Sequence, residues 1–115
     1  LLGYTYPTAW DGSAFTIGTQ PISGSLTANF GASTIMGNLG VPLGANTYSS
    51  SWSGSIAGSG FYGTGSVTST GSDCCFCGSS VLGFFAGANA ARAGLVYEFN
   101  GTQYGDIHGA AVFKK

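Results

Sequence analysis

Ile22–Phe30 reads ISGSLTANF, and Tyr48–Ile56 reads YSSSWSGSI. In the first stretch Ile22, Gly24, Leu26, Ala28 and Phe30 alternate with Ser23, Ser25, Thr27 and Asn29. In the second, Tyr48, Trp52 and Ile56 share one register, and Ser49, Ser51, Ser53 and Ser55 share the other. A strand sends successive side chains to opposite faces. Each stretch therefore makes a ribbon with one apolar face and one small-polar face.

Working outward, the same period of two runs through most of the chain. Ala14–Ile17, Thr34–Val41, Phe61–Val67, Val81–Ala86, Leu95–Phe99 and Ile107–Phe113 all read as short strands, and Val81–Ala86 is apolar on both faces. Turn chemistry separates them. Asn100-Gly101 is a hairpin signal of the type I′ kind, because both residues accept positive φ. Gly44-Ala45-Asn46 and Gly58-Ser59-Gly60 are further turn candidates, and Asn89–Ala93 has room for one helical turn. About eight short strands with turns between them predict an all-β fold, a single small antiparallel β-barrel. The many in-strand glycines suit bends and bulges. The barrel is expected over residues 14–115, preceded by an extended segment over residues 1–13. Phe15, Ile22, Leu26, Phe30, Trp52, Ile56, Phe85, Leu95, Tyr97, Ile107 and Phe113 are the expected core.

Composition narrows the function. Among 115 residues three are basic and four acidic, giving a net charge of −1. Only 6% are charged, against about 25% in an ordinary soluble domain. Aromatic residues are plentiful, which argues for a folded chain rather than a disordered one. The only basic cluster is Lys114-Lys115, so the footprint that nucleic acid or acidic lipid requires is missing. No signal peptide is recognisable, and the chain reads as a mature domain or a fragment. No apolar run approaches the roughly 20 residues of a membrane helix. A membrane barrel needs strands of about 9–11 residues, and eight of these with loops are not expected to fit in this length.

The last third carries a family resemblance. GFFAGANAARAGLVYEF (Gly83–Phe99), followed by GAAVF (Gly109–Phe113), resembles the closing strands of the transferrin-binding-protein-like β-barrel domain. That domain occurs in transferrin-binding protein B, in haem-binding secreted relatives and in FecR-type surface proteins. Its strand ending G-x-F-x-G-x-x-A matches Gly83, Phe85, Gly87 and Ala90. Its A-G-x-x-Y matches Ala93, Gly94 and Tyr97, and its G-x-A-x-F matches Gly109, Ala111 and Phe113. The resemblance spans about Gly54 to Lys115, while the first 50 residues match only as generic strands. It implies an eight-stranded barrel on the outer surface of a bacterium or secreted from it, acting by binding rather than by chemistry. It transfers no ligand-contacting residue.

Few residues are suited to chemistry. Cys74, Cys75 and Cys77 stand in DCCFCGSS. Cys74 and Cys77 have C-x-x-C spacing, but a structural zinc site needs four ligands, and the distant His108 would have to be one. A redox C-x-x-C opens a helix, whereas Gly78-Ser79-Ser80 leads into a strand. A loop-clipping disulfide in an oxidising compartment is the plainer reading. Cys74–Cys77 is the less strained pair, leaving Cys75 as a free or intermolecular thiol. No metal is expected.

His108, the sole histidine, falls on the face opposite Ile107 and Phe113. It reads as a solvent-facing strand residue, with a ligand contact to haem as the sharper alternative. Otherwise no cofactor is expected. Asp106 stands two residues from His108, about 7 Å along the strand. The acids Asp11, Asp73, Glu98 and Asp106 form no evident catalytic pair, so no enzyme is expected. Asn100-Gly101-Thr102 is also a glycosylation sequon, for which the hairpin reading suffices.

The expected outer faces carry Ser, Thr, Asn and Gly where solvated sheets carry Lys and Glu. Two functions compete. One is a protein- or ligand-binding surface module. The other is a subunit of an extracellular fibre or coat, in which copies of the chain bury this uncharged surface. For the second, Leu1, Leu2, Tyr4, Tyr6 and Trp10 make an apolar segment able to add a strand to a neighbour's sheet. The bland alternative is that the segment packs across the mouth of its own barrel.

Overall fold

The computed structural model describes residues 3–10, 12–71, 77–102 and 104–114. Ten strands form one antiparallel sheet: β1 (Gly3–Tyr4), β2 (Thr8–Trp10), β3 (Phe15–Ile17), β4 (Ser23–Asn29), β5 (Thr34–Leu43), β6 (Asn46–Ala57), β7 (Gly60–Ser69), β8 (Gly78–Ala86), β9 (Arg92–Thr102) and β10 (Gly105–Lys114). From β4 to β10 the chain meanders, each strand pairing with the next. The N-terminal strands return to the far side of β10: β1 pairs with Ala111 and Val112, and β2 pairs with residues Asp106 to His108. The order is β3-β2-β10-β9-β8-β7-β6-β5-β4, with β1 beside β10. The sheet curls into a half-barrel. Among the described residues its two ends, β3 and β4, are not joined by strand pairing, so a seam runs along the wall.

All eight expected strands are present, most of them longer than the alternation alone marks. β5 to β10 run from 9 to 12 residues. These six reach the length of membrane-barrel strands, whereas β3 and β4, at 3 and 7 residues, do not. The described part of residues 1–13 is extended and joins the sheet beside β10 as β1 and β2. Ala9 is buried, and Thr5 N–H donates to the Ala110 carbonyl at 2.9 Å while the Thr5 hydroxyl accepts from Ala110 N–H.

The interior is apolar, as the alternation requires. Val41, Tyr48, Phe99 and Ile107 are fully buried at one end of the half-barrel, with Leu43 and Val81 close behind. At the other end Leu26, Ala28, Ile56 and Phe85 are only half-buried. Ile22, Trp52, Leu95, Tyr97, Ile107 and Phe113 take their expected core places. Phe15 and Phe30 do not, at 73% and 53% exposed. Phe15 lies on the end strand β3 and packs its ring on Trp10, centroids 4.6 Å apart. Phe30 follows the last residue of β4 and packs on Phe85 of β8 at 5.0 Å.

The strand glycines serve mainly as floor space for rings. A Cβ at Gly37 or Gly63 would stand 2.6 Å from the Trp52 indole. A Cβ at Gly83 would strike the Phe61 ring, and one at Gly109 the Tyr97 phenol. Large aromatic residues lie flat on the backbone of neighbouring strands, which brings those strands' main chain into the core.

The β9–β10 hairpin corrects one turn assignment. Asn100 and Gly101 belong to β9, and the reversal comes later, between the paired residues Thr102 and Gly105. Phe99 pairs with Ile107, so Asn100 and Gly101 together oppose the single residue Asp106. This is a β-bulge, and Gly101 takes φ +85° to make it. The positive-φ chemistry is real, but it serves a bulge instead of a turn. Two other turns fall as expected, at Gly44-Ala45 and Gly58-Ser59, while the helical turn expected over Asn89–Ala93 is a 3₁₀ turn at Ala88–Ala90, because Arg92 and Ala93 already pair within β9.

Candidate functional site

Alternation fixes which side chains of β7 to β10 point outward, and these are not the small polar set expected. Tyr62 pairs with Leu82, Leu82 with Val96, and Val96 with Ala110. They form one apolar row across four strands. In the next row Phe84 pairs with Gly94 and Gly94 with Val112, and the Phe84 ring lies over Gly94, 3.1 Å from where a Cβ would be. Tyr62, Leu82, Phe84 and Val96 are each 53–59% exposed. The outer face of β6, by contrast, is the serine ladder Ser49, Ser51, Ser53 and Ser55, all exposed. The sheet thus has a polar outer half and an apolar outer half. The sequence signal was Val81–Ala86, where Leu82 and Phe84 repeat on the face opposite Val81 and Phe85.

A groove of about 660 Å³ runs along this apolar half. Tyr6 and Tyr62 flank it, Leu82, Val96 and Ala110 floor it, and Glu98 and His108 end it. Tyr6 is held by the link between β1 and β2, its ring edge-on to Tyr4 at 5.8 Å. Of the expected assembly segment, Tyr4, Tyr6 and Trp10 are exposed. Leu1 and Leu2 lie outside the described residues.

His108 is exposed on the outer face, as its register requires. Glu98 sits directly across from it on β9. Asp106 joins them: the ligand atoms of Glu98, Asp106 and His108 all lie within 4.8 Å of one another. The separation expected between Asp106 and His108 is closed by their side chains beside the bulge. Exposed acids gather in this way without an ion, and the trio is the polar end of the groove.

Cys77 is buried and disulfide-bonded. Cys74 and Cys75 lie outside the described residues, as do Asp11 and Asp73, so the pairing is not assigned between the two cysteines. Inside the half-barrel, the Ser50 and Ser79 hydroxyls hydrogen-bond at 2.7 Å, linking β6 to β8 in the core. The Tyr97 hydroxyl and Trp52 Nε1 are buried without a hydrogen-bond partner among the described residues. Burial pushes the Tyr97 phenol well above its ordinary range.

Compared with known protein families, curated proteins and solved structures, the chain matches none.

Proposed function

We propose that the protein is a non-enzymatic binding module of the transferrin-binding-protein-like kind, exposed outside a bacterial cell, which docks a protein partner on the outer face of β7 to β10. The observation that carries this reading is the in-register row Tyr62, Leu82, Val96 and Ala110, with Phe84 and Val112 beside it. Exposed apolar groups in a contiguous patch with a polar border mark interaction surfaces, and aromatic anchors dominate binding energy at such surfaces. The disulfide at Cys77 supports an oxidising, extracytoplasmic setting.

No helix among the described residues is long and apolar enough to cross a membrane. The placement of side chains also favours a water-facing barrel. A membrane barrel turns its apolar band outward all round and closes its sheet, while this one packs Trp52, Phe61 and Leu95 inward and sets serines outside on β6.

A second reading, self-assembly into a fibre or coat, is favoured by the two unjoined strands at the ends of the sheet. β4 (SGSLTAN) carries neither charge nor proline, the usual guards of a sheet edge. Strands β1 and β2, paired here with their own β10, would then pair with a neighbour.

Size-exclusion chromatography and electron microscopy of the purified protein separate the two. The module is monomeric, and binds an extracellular partner with an affinity that Leu82→Glu/Val96→Glu lowers at least about tenfold, the cost of breaking a buried contact. Polymers that vanish when residues 1–10 are deleted support the assembly reading and overturn the first. A Soret band on adding haem, lost in His108→Ala, would move the site from a protein partner to a small ligand.

A further inference from the structure

A second site lies beside the end strand β4, away from the outer groove and independent of the reading above. The sequence has three basic residues, Arg92, Lys114 and Lys115. Arg92 and Lys114 stand directly opposite each other on β9 and β10. Like charges in that position repel, and among the described residues neither is paired with an acid. The Arg92 guanidinium donates only to the neighbouring Ala91 carbonyl, at 3.1 Å.

Both cations line a cleft of about 310 Å³ between β4 and the ends of β8, β9 and β10. Its walls are apolar: Leu26, Ala28 and Phe30 on one side, Phe85, Ala93 and Phe113 on the other. This is the end of the half-barrel where the interior is only half-buried. From it an aromatic series leads inward, Phe30 to Phe85 at 5.0 Å, Phe85 to Phe61 at 5.1 Å, and Phe61 stacked on Trp52 at 6.2 Å. The volume falls at the small end of ligand cavities, about 300–1,000 Å³, and barrels of about eight strands have room for one small ligand.

We infer that this cleft binds a single-chain amphiphile with an anionic head, of the fatty-acid class. The carboxylate sits between Arg92 and Lys114 and relieves their repulsion. The hydrocarbon tail enters along Leu26, Ala28 and Phe85 and covers apolar surface that strand pairing leaves open. Head and tail are both required: an anion alone meets two solvated cations, and a neutral tail alone leaves them unpaired.

Isothermal titration of the purified full chain with sodium dodecanoate below its micelle concentration tests this, with dodecanol and sodium acetate as the other arms. Dodecanoate is expected to bind once per chain, dodecanol about tenfold more weakly, and acetate not measurably, the margin being that of a charge-assisted contact. Arg92→Gln/Lys114→Gln should weaken dodecanoate about tenfold and leave dodecanol unchanged. Ala28→Phe should abolish both by filling the cleft. The two charge substitutions are on exposed positions, so they keep the test decisive if the core substitution fails to fold. Absence of dodecanoate binding, equal affinity for dodecanoate and dodecanol, or indifference to the double substitution would each overturn the assignment.

Discussion

Ser50 and Ser79 show what a single residue contributes inside this fold. Ser50 falls on the apolar register of β6, between Tyr48 and Trp52, and its hydroxyl meets that of Ser79 in the core. Deleting one hydroxyl strands the other, at a cost of about 1–3 kcal/mol, whereas deleting both is close to neutral. Ser50→Ala and Ser79→Ala should each lower the denaturation midpoint, and the double variant should recover most of the loss in urea titrations. Tyr97 is the opposite case, a buried hydroxyl with no partner. Tyr97→Phe should be neutral or stabilising by up to about 1 kcal/mol near pH 7. The sign of its pH dependence follows from its raised folded value. Below about pH 10, the ordinary tyrosine value, the phenol is neutral in both states and adds no slope. Above it the unfolded chain loses the proton first, so stability falls as pH rises. Stability curves from pH 9 to 11.5 should therefore be flatter for Tyr97→Phe than for the wild type.

At the scale of elements, the bulge in β9 carries the most information. Asn100 and Gly101 oppose Asp106, and Gly101 holds φ +85°. An L-residue in that conformation costs about 1–2 kcal/mol, so Gly101→Ala should destabilise by that amount in chemical denaturation. Because the bulge sets Asp106 beside Glu98 and His108, the same variant should move the His108 ring resonances in NMR spectra. A variant with wild-type stability and wild-type His108 resonances would show that the bulge positions nothing. This region also shows what can be read from sequence. The strands were legible because Ile22–Phe30 and Tyr48–Ile56 alternate, and alternation is a property of neighbours along the chain. The bulge was not, since Asn-Gly supplies positive φ to a turn and to a bulge alike, and only pairing with β10 distinguishes them. Phe15 and Phe30 failed as core residues for related reasons: pairing sets Phe15 opposite Trp10, on the face away from buried Ala9, and Phe30 lies just beyond the end of β4. The candidate surface was the least legible. Leu82 and Val96 meet only through the register of two strands, and Arg92 meets Lys114 only when β9 folds back on β10.

At the scale of the whole molecule, the governing feature is that the sheet runs in a line from β3 to β4 without closing. In a closed cylinder every strand has two neighbours, and none can leave without breaking both ladders. Here the end strands can detach singly while β8 and β9 remain paired on both sides. Backbone opening is therefore graded, not all-or-none. Amide hydrogen exchange should be slowest in β8 and β9, approaching the global unfolding limit, and progressively faster toward β4 on one side and β3 on the other, through sub-global openings of lower free energy. Uniform protection from β3 through to β4 would mean that the seam is locked in solution. A ligand bridging β4 to β10 would slow exchange selectively in β4, turning the gradient from two-sided to one-sided.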